Sequence, residues 1–207
     1  MAEGPVSSLR AVLWDFGDTL ADETWMLAPL PGAAKWPAAY GRILGGSDLA
    51  DRWNLGLAAV EDVADELAAD LGVPSVQVLT HMRRCCGQVV FYPEVMKLAA
   101  ELSVPQAIVT INCDIFSEIV VPTYALADRF ETIVASWEEA TLSKADLCDI
   151  AMSRLPGAVD RASCLLIDNR LENVLEWRGR GGTAWHFQGS APLAAQLSRL
   201  GSGERQP

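Results

Sequence analysis

The sequence predicts an α/β protein: a doubly wound, five-stranded parallel sheet with a block of helices inserted after its first strand. Three observations carry that expectation. Short apolar runs without polar alternation recur along the chain, as strands covered on both faces require. From Gln106 onward helical stretches separate these runs, which implies right-handed crossovers and parallel pairing. Between the first run and the second, only helical spacing is found. At 207 residues, half of them hydrophobic, the chain is long enough for one main core plus an accessory unit. Residues 1–20 and 91–207 are assigned to the core and 21–90 to the insertion.

The opening strand is the run from Ala11 to Trp14, which stops at Asp15; Gly17 then permits a sharp turn before Asp18, Thr19 and Leu20. Ala21 to Pro37 mixes acids, three prolines and Gly32, so it forms a flap and no single regular element. Val60, Val63, Ala64, Leu67, Ala68 and Leu71 then recur at helical spacing until Gly72 and Pro74 stop them, and Ser75 is placed to cap the next helix, through Val76, Leu79, Met82 and Cys86. Tyr92-Pro93-Glu94 opens a helix that returns to the core. Further strands are expected at Ala107 to Val109, Ile133 to Ala135, Cys164 to Ile167 and Thr183 to Phe187. Helices are expected at Asp114 to Val121, Ser143 to Leu155, Leu171 to Arg180 and Pro192 to Leu200, with a frayed tail from Gly201.

In such a sheet ligands bind beyond the carboxyl ends of the strands, where strand order reverses. The strand-end residues are Asp15, Thr110 and the pair Asp168-Asn169. Lys144 begins the helix before the fourth strand. Ser143 reads as that helix's N-cap, and a cation in a first turn opposes the helix dipole, so Lys144 points to a site. Asn173 reads as an internal contact of its helix, and His81 and His186 as structural. Trp25, Met26 and Trp53 stand either at a pocket mouth or in the core of the insertion.

A net charge of -11 excludes a surface built for nucleic acid or an anionic membrane. No run is long and apolar enough to span a bilayer, and Met1 to Arg10 lacks the order of a signal peptide, so a cytoplasmic protein is expected. Five cysteines without CxxC spacing read as reduced thiols. Oligomeric state leaves no trace in the sequence.

Four segments, in order and on the right elements, resemble the motifs of the haloacid dehalogenase-like hydrolase superfamily. They are Leu13-Trp14-Asp15-Phe16-Gly17-Asp18-Thr19-Leu20, Ile108-Val109-Thr110-Ile111-Asn112, Lys144, and Leu166-Ile167-Asp168-Asn169-Arg170-Leu171-Glu172-Asn173-Val174. The resemblance implies a Rossmann-like core with a helical cap, and a phosphatase acting on a small phosphorylated metabolite. Asp15 would be the nucleophile and form an aspartyl phosphate. Mg²⁺ would be held by Asp15, the carbonyl of Gly17 and the Asp168-Asn169 loop. Thr110, Ile111 and Asn112 would grip phosphoryl oxygens, and Lys144 would offset the charge on the transferring group and pair with Asp168 when the site is empty.

Two positions depart from that family's pattern. Gly17 stands where the phosphatases carry the acid that protonates the leaving group, and Asn169 where they carry a metal-binding acid. Three readings follow: a phosphatase restricted to good leaving groups or supplied with an acid from elsewhere; a metal-independent hydrolase of the 2-haloacid dehalogenase type; and an inactive binding or regulatory protein. On the first reading, Gly17→Asp is expected to raise turnover of alkyl phosphates.

Overall fold

The computed structural model describes residues 9–157 and 159–202, and side chains as far as Leu197. Five strands form one fully parallel sheet: β1 (Ala11–Trp14), β2 (Gln106–Thr110), β3 (Thr132–Ala135), β4 (Cys164–Asp168) and β5 (Thr183–His186), in the order β3-β2-β1-β4-β5. The chain winds outward from β1 through β2 to β3, then crosses back to β4. The switch point therefore lies between the carboxyl ends of β1 and β4, where Trp14 is in register with Ile167.

Side-chain alternation splits the core in two. Ala11, Leu13, Val109, Leu166 and Ala184 point to one face. They pack there on α8 (Lys144–Arg154) and α9 (Leu171–Gly179) through Ala145, Cys148, Ala151, Val174 and Trp177. Turning the chain from α9 into β5 brings Gly182 so close to Trp177 that an added Cβ would lie 2.1 Å from the indole, which explains the glycine. Val12, Trp14, Ile108, Leu165 and Ile167 point to the other face. That face packs on α5 (Pro93–Glu101) and α10 (Ser190–Ser202), and its apolar cluster runs on without a break into the insertion.

The insertion carries α1 (Trp36–Leu44), α2 (Asp48–Asn54), α3 (Val60–Leu71) and α4 (Ser75–Cys85). Helix α3 buries Val60, Val63, Ala64, Leu67 and Ala68 and ends where the sequence places its stop, at Gly72, which takes φ 67° as a left-handed C-cap. Ser75 differs from expectation. Helix α4 starts at Ser75 itself with Pro74 as N-cap, and the serine hydroxyl donates to Asp65 instead. The flap holds one 3₁₀ turn, Glu23–Leu27, and no strand among the described residues. The chain's two passages between insertion and sheet are bonded to each other: Asp22 N–H donates to Val90 at 2.9 Å and Tyr92 N–H to Leu20 at 2.9 Å.

After β2 the expected helix is a π-helical turn, Phe116–Val120, running into the short α6 (Val121–Thr123). Helix α7 (Ser136–Glu139), too short to leave a periodic signal, follows β3. Of the expected frayed tail, Gly201 and Ser202 close α10, and the rest lies outside the described residues. Among the described residues no helix is long and apolar enough to cross a membrane.

Candidate active site

Directly after β1 the backbone folds into a tight turn. Asp15 N–H donates to Ile167 on β4 at 2.9 Å, which fixes the residue over the switch point. The Phe16 carbonyl then accepts from both Leu20 and Ala21. Asp18 takes φ 51°, a left-handed conformation that Asp tolerates better than most residues.

Three strand ends and one helix start meet beneath that turn. The Lys144 ammonium, 1 % exposed, donates to Asp15 Oδ1 at 2.7 Å and to the Val109 carbonyl at 2.9 Å, and lies 3.1 Å from Asp168 Oδ2. Ser143 caps α8 by accepting from Asp146 N–H, and so aims the first helical residue inward despite the dipole. Asp168 is fully buried. Besides the lysine it accepts from Asn173 Nδ2 at 2.9 and 3.1 Å and from Arg170 N–H at 2.7 Å.

One lysine thus serves two buried carboxylates. Burial pushes the Asp15 pKa up to about 6; Lys144 works against the rise, and the negative charges of Asp168 and Glu23 add to it. For Lys144 desolvation favours the neutral amine, but Asp15 and Asp168 outweigh it and hold the pKa at about 12. The lysine stays charged, and the surplus negative charge sits on the acids.

A cavity of about 360 Å³ opens over this cluster. Asp15, Gly17, Thr110, Lys144, Asn169 and Asn173 make its floor, and Trp25, Met26, Tyr40, Leu44 and Trp53 line it from the flap, α1 and α2. Trp25, Met26 and Trp53 therefore do both things the sequence left open, since Met26 and Trp53 are also buried core.

Thr110, Ile111 and Asn112 all reach the cavity as expected. The backbone N–H of Asn112 does not face an incoming group, however, because it donates to Ser136 Oγ at 2.9 Å. Asp168 stands behind Lys144 and is not part of the cavity wall. Asn173 is more than an internal helix contact: its amide bridges both Asp168 oxygens and lines the cavity. Its spacing of five residues from Asp168 was the available signal. His186 Nε2 lies 3.0 Å from the Asn169 carbonyl and His81 Nε2 2.9 Å from that of Ala28, both structural positions. Cys113 lines the cavity, but burial, aided by the charge of Asp114, holds its thiol well above the ordinary range. Burial thus disfavours the thiolate, the reactive form.

Glu23 is the residue that sequence reasoning passed over. It belongs to the flap and lines the cavity, and its carboxyl lies against Gly17: a Cβ on residue 17 would sit 2.8 Å from Glu23 Oε1. Desolvation and the charge of Asp18 raise its pKa, while Arg170 and Lys144 pull the other way.

No family profile matches the sequence, and no curated protein matches it as a relative. Solved structures resemble it over nearly its whole length. A predicted HAD-like family hydrolase from Porphyromonas gingivalis is 14% identical, with a TM-score of 0.71, covering 93% of this chain and 99% of the other. A HAD family enzyme from Bacteroides thetaiotaomicron, in complex with magnesium and inorganic phosphate, is 16% identical at a TM-score of 0.67, covering 89% and 98%. The L-2-haloacid dehalogenase from Xanthobacter autotrophicus is 21% identical at 0.66, covering 92% and 82%. The chain has the Rossmann-like fold of the haloacid dehalogenase-like hydrolases.

That fold raises the question of a metal. Among the described residues no three acidic, His or Cys side chains group closely enough to hold one alone. Mg²⁺ makes a lesser demand, because it takes one or two carboxylates and completes its shell with carbonyls, water and substrate oxygens. Asp15, the Gly17 carbonyl and the Asn169 amide offer oxygen only, and the floor carries more carboxylates than cations. The residues fit a hard divalent cation held by few protein ligands.

Proposed function

We propose that the chain is a haloacid dehalogenase-like hydrolase that removes phosphate from a small phosphorylated metabolite through an aspartyl-phosphate intermediate. Residues 21–90 would be its cap. The observation that carries this reading is the Lys144 ammonium held between Asp15 and Asp168 at the floor of the cavity. Asp15 is the group aimed to attack phosphorus, and Lys144 lies where charge gathers on the transferring oxygens. Thr110, at the end of β2, meets a second phosphoryl oxygen. Asn173 and the Arg170 N–H hold Asp168 in place, so that the lysine stays between the two acids. Mg²⁺, held by Asp15, the Gly17 carbonyl and Asn169, would supply further neutralisation of the phosphoryl group. Asp168 would steady the loop from behind. Five free cysteines suit the reducing cytoplasm.

The test is hydrolysis of p-nitrophenyl phosphate, then of a panel of phosphorylated metabolites, with Mg²⁺. Chelator and Asp15→Asn should each abolish it, and turnover that survives Asp15→Asn excludes this nucleophile.

One observation favours a second reading. The Asp168 oxygens already receive Lys144, Asn173 and the Arg170 N–H, which leaves that carboxylate little capacity for a metal. Asp15 displacing halide from a 2-haloacid needs neither metal nor proton donor. Halide release that persists in chelator, with no phosphatase activity, selects that reading. Absence of both activities and of any beryllofluoride adduct selects a binding protein.

A further inference from the structure

We infer that Glu23, reaching in from the flap, is the acid and base of the reaction, supplying to the cavity the carboxyl that position 17 lacks. This rests on the phosphatase reading above.

The need for such a group is chemical. When Asp15 attacks phosphorus, the bond from phosphorus to the leaving oxygen breaks, and an alkoxide leaves poorly without a proton. The floor provides no donor. Asp15 is the nucleophile, and Lys144 is shared by two carboxylates and a carbonyl. Among the described residues only two other carboxyls line the cavity, Glu23 and Asp51, and Asp51 belongs to α2 on the roof.

The position of Glu23 is specific. Its Oε1, Cδ and Cγ lie 2.8, 2.9 and 3.4 Å from where a Cβ on residue 17 would stand, so a flap carboxyl fills the space of the absent side chain. The placement is also held. Asp18 accepts from Glu23 N–H at 3.0 Å, Asp22 accepts from Thr24 N–H at 2.6 Å, and Asp18 N–H donates to Ala21 at 2.7 Å. The left-handed turn at Asp18 thus presents its carboxylate to the start of the 3₁₀ turn that carries Glu23. Asp18 is a positioning residue.

The proton balance closes over two steps. In the first, the phosphorus–oxygen bond to the leaving group breaks and the Glu23 proton passes to that oxygen. In the second, water attacks phosphorus, its proton returns to Glu23, and the bond between phosphorus and Asp15 breaks to free phosphate.

The experiment is rapid-quench measurement of Asp15 phosphorylation across phosphate monoesters of rising leaving-group pKa, with Mg²⁺, in wild type and Glu23→Gln. Phosphorylation of the variant by alkyl phosphates should slow about 10²- to 10⁴-fold, whereas p-nitrophenyl phosphate, whose leaving group needs no proton, should lose about tenfold or less. The phosphoenzyme should also accumulate, because water is no longer deprotonated. Gly17→Asp combined with Glu23→Ala, which clears the space that glutamine would still fill, should restore alkyl phosphate turnover by returning a carboxyl to the vacated position. A uniform loss across the series, or no loss, in a variant with an unchanged melting curve overturns the assignment while leaving the phosphatase reading standing. Failure of the wild type to form any phosphoenzyme overturns both.

Discussion

The floor and the roof of the cavity are built on opposite principles. On the floor, Lys144 has three partners, Asp168 also has three, and Asp15 is tied to β4 through its backbone. On the roof, Trp25, Met26, Tyr40 and Leu44 present mostly carbon, and Trp53 is anchored by one indole bond to Asp114 at 2.7 Å. A buried ionic network loses much when its one cation is removed, because the acids are left desolvated and unpaired. An apolar wall loses only contact area. On the proposed phosphatase reading, the chemistry belongs to the floor and the one flap carboxyl of Glu23, and substrate choice to the apolar roof.

The largest effect should come from Lys144→Met. It leaves Asp15 and Asp168 buried as uncompensated like charges, and destabilisation on the order of 3–5 kcal/mol with complete loss of activity is expected from denaturant melts and assays. Next comes Asp15→Asn, with effects of opposite sign on activity and stability. Asp15 titrates near 6 in the folded chain and 3.8 is its ordinary value, so its ionisation opposes folding as pH rises from about 4 through 6. Removing the charge should abolish turnover yet stabilise the metal-free protein by about 3 kcal/mol at pH 7, with the gain vanishing below about pH 4. A variant equally stabilised at pH 3.5 and 7 would place the surplus charge elsewhere. Asn173→Ala should cost about 1.5 kcal/mol by stripping Asp168 of two hydrogen bonds, and should lower kcat more than it raises KM.

The same division governs what could be read in the sequence. Asp15, Thr110 and Lys144 were legible because each sits where a regular element starts or ends, so topology alone brings them together. Asp168 was legible as a position, but its full burial behind Lys144 was not, since nothing local to Ile167-Asp168-Asn169 distinguishes a cavity wall from its backing. The insertion was legible as helices through the spacing of Val60 to Leu71. How those helices meet the sheet was not, because one apolar cluster spans both and a periodic pattern carries no partner. Glu23 was missed for a physical reason. It lies in a segment without periodicity, and it acts on Gly17 through a turn set by the φ of Asp18. That contact also bears on Gly17→Asp: its Cβ would meet the flexible end of the Glu23 side chain, so the gain in alkyl phosphate turnover expected of it requires Glu23 to move aside.

The smallest effect should come from Trp53→Phe, and it tests the division most sharply because Trp53 is the roof residue with a polar tie. Phenylalanine keeps most of the buried ring area but cannot donate to Asp114. That carboxylate is not orphaned, since Oδ1 still accepts from Ile115 N–H at 2.7 Å and Oδ2 from Val60 N–H at 2.8 Å. The expected cost is therefore only about 1 kcal/mol, that of one hydrogen bond whose acceptor stays satisfied. The substitution loosens α2 over the cavity without touching Lys144 or either of its acids. KM for p-nitrophenyl phosphate should rise a few-fold, roughly in proportion to that cost, with kcat nearly unchanged, as loss of uniform binding requires. If kcat falls as far as in Asn173→Ala, Trp53 is helping to align the reacting groups, and the roof takes part in the chemistry along with the floor.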